Sequence, residues 1–364
     1  MKIADVIQHL ESIAPPALQE DYDNAGLLTG HGSWECTGIL TTLDATEEVI
    51  LEAKQKNCNL VVAHHPIIFR GLKKITGKNY VEKTIIASIK NDIAIYAIHT
   101  NLDNVIDGVS GKMADMLGLQ NARILSFKEH TLKKLFTFVP VESAEEVRKA
   151  IFDAGGGNIG KYSQCSFNMD GTGTFMAKEG ADPYIGEVGK PTSTKEMKIE
   201  VIFPSYLEAA VVQAMLDAHP YEEVAYDVVA LSNLYQYAGS GVVAELPEPM
   251  NETGFLSRLK EVFRLQVVRH TPLTGRQVKK VAICGGAGSF LITSALAAGA
   301  DFYVTADVKY HEFFDANGRM VIADIGHFES EQFTIDLLCD ILLQKFPTFA
   351  VLKSDTKTNP VNYF

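Results

Sequence analysis

The stretch Val61-Val62-Ala63-His64-His65-Pro66-Ile67-Ile68-Phe69, "VVAHHPIIF", sets two adjacent histidines into an apolar run. A short continuous apolar run reads as a strand buried on both faces, the kind that parallel sheets use. Pro66 has no N–H to give to a ladder and ends the strand at the histidine pair. Two imidazoles are thereby placed at the carboxyl end of a buried strand. That edge is where open α/β sheets hold their ligands.

Working outward, the same grammar repeats on both sides. "GILTTLD" precedes as a strand, and "ATEEVILEAKQKN" as a helix with Thr46 or Asp44 near its cap. "NYVEKTIIASIKND" follows as a helix, "IAIYAIHT" as a strand and "GVSGKMADMLGL" as a helix. Near the far end come the strand "KKVAICGGAG", the helix "SFLITSALAAG" and the strands "ADFYVTAD" and "RMVIADIG". The pattern then predicts one long helix over "HFESEQFTIDLLCDILLQKF" and a last strand at "TFAVLKS". Short apolar strands alternating with amphipathic helices specify an α/β core of two Rossmann-like halves.

The middle of the chain follows another order. "KKLFTFVPV" reads as a strand and "SAEEVRKAIFDAGG" as a helix, with Ser143 and Glu146 spaced as a capping box. "YSQCSFNMDGTGTFMA" reads as two strands around a glycine-rich turn. "KEMKIEVIFP", "YLEAAVVQAMLDAHP" and "EEVAYDVVAL" add strand, helix and strand. The order β-α-β-β-α-β is the ferredoxin-like unit. The expected organisation is a discontinuous α/β core, residues 1–128 and 232–364, with an inserted α+β ferredoxin-like domain at 129–231 and "SNLYQYAGSG" as the returning linker.

At 364 residues the chain exceeds one typical core. A net charge of −12 argues against non-specific binding to nucleic acid. The five cysteines, Cys36, Cys58, Cys165, Cys284 and Cys339, form no CxxC pair, which disfavours a thiolate metal site and suits a reducing compartment. The N-terminal "MKIADVIQHLESIAPP" is an acidic amphipathic helix rather than a signal peptide, and no run is long enough for a membrane span. The expectation is a cytoplasmic protein with no membrane partner.

Chemistry-bearing residues gather at four strand ends: His64 and His65; His99, Asn101 and Asp103; Asp307 and His311; His327 and Glu331. Successive strand residues point to opposite faces, so His64 and His65 suit two neighbouring ions rather than one. His327 and Glu331 lie four apart at a helix start and share a face. Asp103 adds a carboxylate, and a carboxylate can bridge two ions around a shared water. A lone buried histidine is usually a hydrogen-bonded structural group, and His9, His31, His130, His219 and His270 lie in helix or loop contexts with no sign of a ligand role. The doublet, with carboxylates at further strand ends, points instead to metal. Imidazole and carboxylate without thiolate suit zinc, manganese, iron or nickel. His99 is expected to orient a ligand by hydrogen bonding, and His99, Asp307 and His311 are candidates for moving protons. "GGAGS" at Gly285–Ser289 lacks the dinucleotide fingerprint and the P-loop lysine, so it reads as a tight turn.

The blocks "DNAGLLTG", "VVAHHPIIFRGLKKIT", "AIHTNLDN", "TADVKYHEF" and "GHFESE" together resemble the Nif-three-like dinuclear-metal hexameric family, also called GTP cyclohydrolase 1 type 2 homologues. The middle unit resembles the PII/CutA-like insertion of the longer bacterial members, above all at "HPYEEVAYDVV". The resemblance implies two divalent metal ions per subunit, with motif residues falling on His64, His65, Asp103, His327 and Glu331. It also implies a toroidal homohexamer with the metal sites facing an internal cavity. The functional expectation is a metal-dependent hydrolase acting on a small nucleotide-like or phosphorylated substrate. The alternative from another class is a non-catalytic metal-dependent regulatory or binding protein.

Overall fold

In the computed structural model, which describes residues 1–364, the histidine doublet ends the strand Leu60–His65 at the centre of a five-stranded sheet. Ile39–Asp44 and Ala94–Ala97 flank it in parallel, and Gly26–Thr29 adds an antiparallel edge beyond Ala94–Ala97. Leu60 and Val62 join one apolar cluster, and Val61 and Ala63 another, so both faces of the strand are covered. Helix Ile3–Ile13 packs Ile3, Val6 and Leu10 on the first face. Helices Glu47–Gln55 and Tyr80–Lys90 pack Val49, Ile50 and Ile85 on the second. Thr46 and Asn79 cap these two, their side-chain oxygens accepting from the Val49 and Glu82 backbone N–H groups.

A second sheet of six strands runs in the order Arg269–His270, Val321–Asp324, Phe302–Ala306, Gln277–Ala287, Gly239–Asn251, Gln120–Phe127. Its middle three strands are parallel, and the rest are antiparallel. Sequence pattern missed Gln120–Phe127 and Gly239–Asn251. The first begins with exposed polar residues, and the second starts inside the stretch read as a linker.

Two expectations at the far end change. The long helix is two helices, His327–Glu331 and Thr334–Lys345. At the break, the Gln332 side-chain amide donates to the Phe263 and Glu329 carbonyls. The last strand, Val351–Lys353, pairs in parallel with Ile39–Asp44 and so completes the first sheet rather than the second. The apolar face of Thr334–Lys345 drives this, because Leu338, Cys339 and Leu342 share a cluster with Ile39 and Leu60.

The chain divides into two compact units, residues 1–127 with 237–364, and residues 128–236. The second unit is a four-stranded antiparallel sheet in the order Phe167–Met176, Pro191–Pro204, Leu132–Pro140, Tyr226–Ala230. Helices Ala144–Asp153 and Glu208–Ala218 bury Val147, Ile151, Val211 and Met215 against Leu135, Ile199 and Phe203. This is the ferredoxin-like order. The expected glycine-rich turn is absent, since Phe167–Met176 is one continuous strand carrying Gly171 and Gly173. The expected capping box also fails to form, because a 3-10 turn at Val141–Ser143 leads into the helix and puts Ser143 itself in helical geometry. All five cysteines are free. No helix is long and apolar enough to cross a membrane.

Candidate metal centre

Three strand ends of the first sheet and one helix of the second bring the candidate residues together. His64 is fully buried, and its Nδ1–H donates to the Ile98 carbonyl at 2.8 Å. That bond fixes the tautomer and leaves the Nε2 lone pair pointing inward. Nε2 has no hydrogen-bond partner, and neither does the buried Oδ1 of Asp103, 3.7 Å away. Asp103 ends the short helix Thr100–Asp103 that follows Ala94–Ala97. Glu331, 3 % exposed, closes helix His327–Glu331. Its Oε1 stands 3.8 Å from His64 Nε2, while its Oε2 lies 3.0 Å from His65 Nε2 and 3.1 Å from His327 Nε2. The two carboxylate oxygens thus face two different sets of donors.

These residues form three groups able to hold an ion: His64, Asp103 and Glu331; His65, His327 and Glu331; His64, His65 and His99. Glu331 is shared by the first two. The spacing fits the chemistry. Donors around a tetrahedral ion with bonds of 2.0–2.1 Å stand roughly 3.3 Å apart. His65 Nε2 and His327 Nε2 are 3.4 Å apart. Two N–H groups facing each other at that distance repel, whereas two lone pairs on one cation do not.

Each outer histidine is held by a carboxylate on its far nitrogen, the pattern that fixes ligand tautomers in metal sites. His65 Nδ1–H donates to Asp44 at 2.8 Å, His327 Nδ1–H to Asp307 at 2.7 Å, and His99 Nδ1–H to Asp23 at 2.8 Å. Asp23 also accepts from the backbone N–H and hydroxyl of Thr100. Asp44 accepts from the Thr358 hydroxyl at 2.6 Å. Sequence reading missed Asp44 and Asp23. Asp44 carried a usable signal, because it ends the neighbouring parallel strand in register with His65. Asp23 opens the block "DNAGLLTG", but its partnership with His99, 76 residues along the chain, had no local signal.

The electrostatics follow from burial and these contacts. Burial pulls the His64 imidazole down to about 4, against the pull of Glu331. Burial also lowers His65, but its bonds to Asp44 and Glu331 outweigh it and lift the ring to about 10. The same balance with Glu331 and Asp307 lifts His327 to about 9. Burial and the nearby Glu331 charge push the Asp103 carboxyl well up, whereas the imidazoles around Glu331 overcome its burial and hold it well below the carboxylate range.

Of the proton-handling candidates, His99 faces the centre, its ring 5.3 Å from that of His64 and 5.4 Å from that of His65. Asp307 bonds His327 and thereby orients it. His311 is exposed, its ring against Tyr310 and Phe314, and it joins none of the three groups.

A family model described as Duf34/NIF3 (NGG1p interacting factor 3) matches residues 1–360. The chain belongs to the DUF34/NIF3 family. It is 42 % identical over 332 residues to a Halalkalibacterium halodurans protein named GTP cyclohydrolase 1 type 2 homolog, covering 90 % of this chain and 89 % of that one. A Bacillus subtilis protein of the same name is 38 % identical over 364 residues, covering 98 % and 97 %. Among solved structures, a Bacillus cereus protein related to NIF3 superposes with a TM-score of 0.88 at 39 % identity, covering 100 % of this chain and 99 % of that one. The family resemblance read from the motif blocks is thus borne out.

"GGAGS" is not a turn. Gly285 and Gly286 lie within Gln277–Ala287, where the parallel ladder to Phe302–Ala306 shifts register between Ile283 and Ala287. Gly286 adopts φ +62°, and a Cβ there would stand 2.2 Å from Glu331 Oε1. The bulge makes room for the carboxylate. Gly286→Ala is therefore expected to weaken zinc binding about tenfold or more without touching a candidate ligand, because the left-handed backbone and the displaced carboxylate both resist the methyl. Competitive chelator titration reads this, and an unchanged affinity would count against Glu331 as the shared ligand.

Proposed function

We propose that this chain holds two divalent ions through His64, His65, Asp103, His327 and Glu331, and acts as a metal-dependent hydrolase on a small nucleotide-like or phosphorylated substrate. The observation that carries the reading is the pair of buried, unpartnered atoms, His64 Nε2 and Asp103 Oδ1, facing each other beside Glu331. Leaving such atoms buried without a partner costs on the order of 1–3 kcal/mol each, so a fold that keeps two together implies a ligand between them. Bound divalent ions would supply Lewis acidity and a water ionised near neutral pH.

The chain's own residues do the rest. Asp44 and Asp307 keep His65 and His327 turned inward. Asp23 holds His99 at the edge of the centre, where it can take a proton at Nε2. Phe69, half-exposed, meets the His99 ring edge-on at 6.4 Å and adds an apolar wall on that side. Arg70, Lys73, Lys74 and Lys78 are exposed in the loop after the doublet and join no ion pair, so they favour an anionic substrate on an otherwise acidic chain. The nucleotide class also has support from the name carried by the Halalkalibacterium and Bacillus relatives. A ring-shaped homohexamer in the cytoplasm belongs to the same proposal and rests on the family resemblance.

The test is a panel of nucleoside triphosphates and phosphate esters, assayed after stripping the protein and reloading it with zinc, manganese, iron or nickel. Hydrolysis that tracks metal occupancy and falls at least about a hundredfold in His64→Ala supports the proposal. A fully loaded protein inert across the panel sinks the hydrolase reading in favour of a metal-dependent binding protein. His64→Ala with full metal content sinks the ligand assignment.

A further inference from the structure

Within the ferredoxin-like unit, a cavity of about 730 Å³ opens beside the strand Phe167–Met176. Sites that enclose small organic ligands are of this size. Three aromatic rings cluster in its wall, with the Tyr221 ring 6.4 Å from Phe175 and 6.1 Å from Tyr184. One carboxylate is set among them. Glu196 is 8 % exposed, its Oε1 accepts the Tyr221 hydroxyl at 2.7 Å, and its Oε2 accepts no hydrogen bond from the chain.

The surroundings hold this carboxylate in place. A Cβ on Gly173 would come within 2.1 Å of Glu196 Oε2, so the glycine is what lets the carboxylate lie against the strand. His219, buried and donating from Nε2 to the Phe138 carbonyl, accepts the Tyr221 backbone N–H at Nδ1. That chain of bonds fixes Tyr221, and Tyr221 fixes Glu196. Glu196 thus has one oxygen tied to Tyr221 and the other open to the cavity, where a ligand's N–H group can meet it. The lining is also acidic. It holds Asp170, Glu196, Glu222 and Glu223 against Lys178 and Lys198, and the Lys198 ammonium is already bonded to Glu200 at 2.7 Å.

The geometry points to a small-molecule site in the inserted unit, separate from the metal centre, that takes a flat heteroaromatic ring carrying an amine or amidine group. The ring packs against Tyr184, Tyr221 and Phe175, and its N–H groups donate to Glu196. Aromatic walls select the flat ring. The unpaired oxygen selects the donor, and the acidic lining rejects carboxylates and phosphates.

The probe is 2-aminobenzimidazole, titrated into the full-length protein by calorimetry and followed by saturation-transfer NMR. Indole-2-carboxylate serves as an anionic ring of similar size. Saturable binding of the amine is expected, weakened about tenfold or more in Glu196→Gln, with the carboxylate at least about tenfold weaker on the parent protein. Tyr184→Ala changes a half-exposed side chain and gives a second reading should Glu196→Gln fold poorly; it too is expected to weaken binding. No saturable binding up to about 10 mM, or equal binding in the parent and both variants, overturns the site.

Discussion

Glu331→Gln protein, purified and equilibrated with excess zinc, is expected to lose most of its metal while keeping its fold. Glu331 offers one oxygen to the side of His64 and Asp103, and the other to the side of His65 and His327. Glutamine keeps the shape but replaces one of those oxygens with a nitrogen that has no lone pair to give, and it removes the negative charge that both groups share. A metal present at about a thousandfold over its dissociation constant stabilises a fold by about 4 kcal/mol, so the metal-induced rise in Tm should vanish with the metal. Elemental analysis and thermal denaturation with and without zinc read the two effects. Parent-like metal content together with a parent-like rise in Tm would show that Glu331 is not the shared ligand.

Zinc affinity should climb steeply with pH, about a hundredfold per unit between about pH 6 and 8, because two imidazoles must each release a proton to bind. Without metal, both are held protonated at neutral pH. Burial disfavours their charge, but Asp44, Asp307 and Glu331 overcome it and lift His65 to about 10 and His327 to about 9. Asp103, pushed well up by burial and the Glu331 charge, acts in the same direction. Competition with a chelator across pH, and calorimetry in buffers of different ionisation enthalpy, count the protons. A pH-independent affinity would refute the assignment of both histidines.

The metal-free protein should show the opposite slope. The stability from raised histidines is fully present below their ordinary value of 6.5 and is lost as pH rises through about 9 and about 10. His64, depressed to about 4, works on the acid side, since the unfolded chain takes up that proton first as pH falls below 6.5. Asp103, raised well above its ordinary value, has the opposite slope in that range and offsets it. Denaturation midpoints of stripped protein should therefore change little between about pH 4 and 6.5 and fall as pH rises above 6.5, while those of loaded protein rise with pH through neutrality.

How much of this was legible in the sequence depended on how local the signal was. The parallel strands of both halves could be read because each is a short apolar run between turn residues, and burial on both faces erases alternation. The two long antiparallel strands, Gln120–Phe127 and Gly239–Asn251, were missed because their pairing, not their composition, makes them strands. The glycine-rich stretch of the inserted unit was read as a turn. Glycine usually breaks strands, but here Gly173 leaves the space that Glu196 fills. In the candidate metal centre, the histidines announced themselves by sitting in apolar surroundings. Asp23 sat in the block "DNAGLLTG", but nothing local tied it to His99 far along the chain.

The sequence by itself determined the layered α/β core, the β-α-β-β-α-β order of the inserted unit and the strand ends where imidazoles and carboxylates collect. All of these are set by patterns spanning fewer than about twenty residues, within reach of one helix or strand and its turn. Only the tertiary structure decided which carboxylate is shared, which aspartate holds which histidine and which sheet the final strand joins. Those outcomes rest on contacts between residues as far apart as His65 and Glu331, 266 positions along the chain. Such contacts are chosen by packing and burial together, when the apolar faces of the helices settle on the sheets and leave the polar strand ends facing one another.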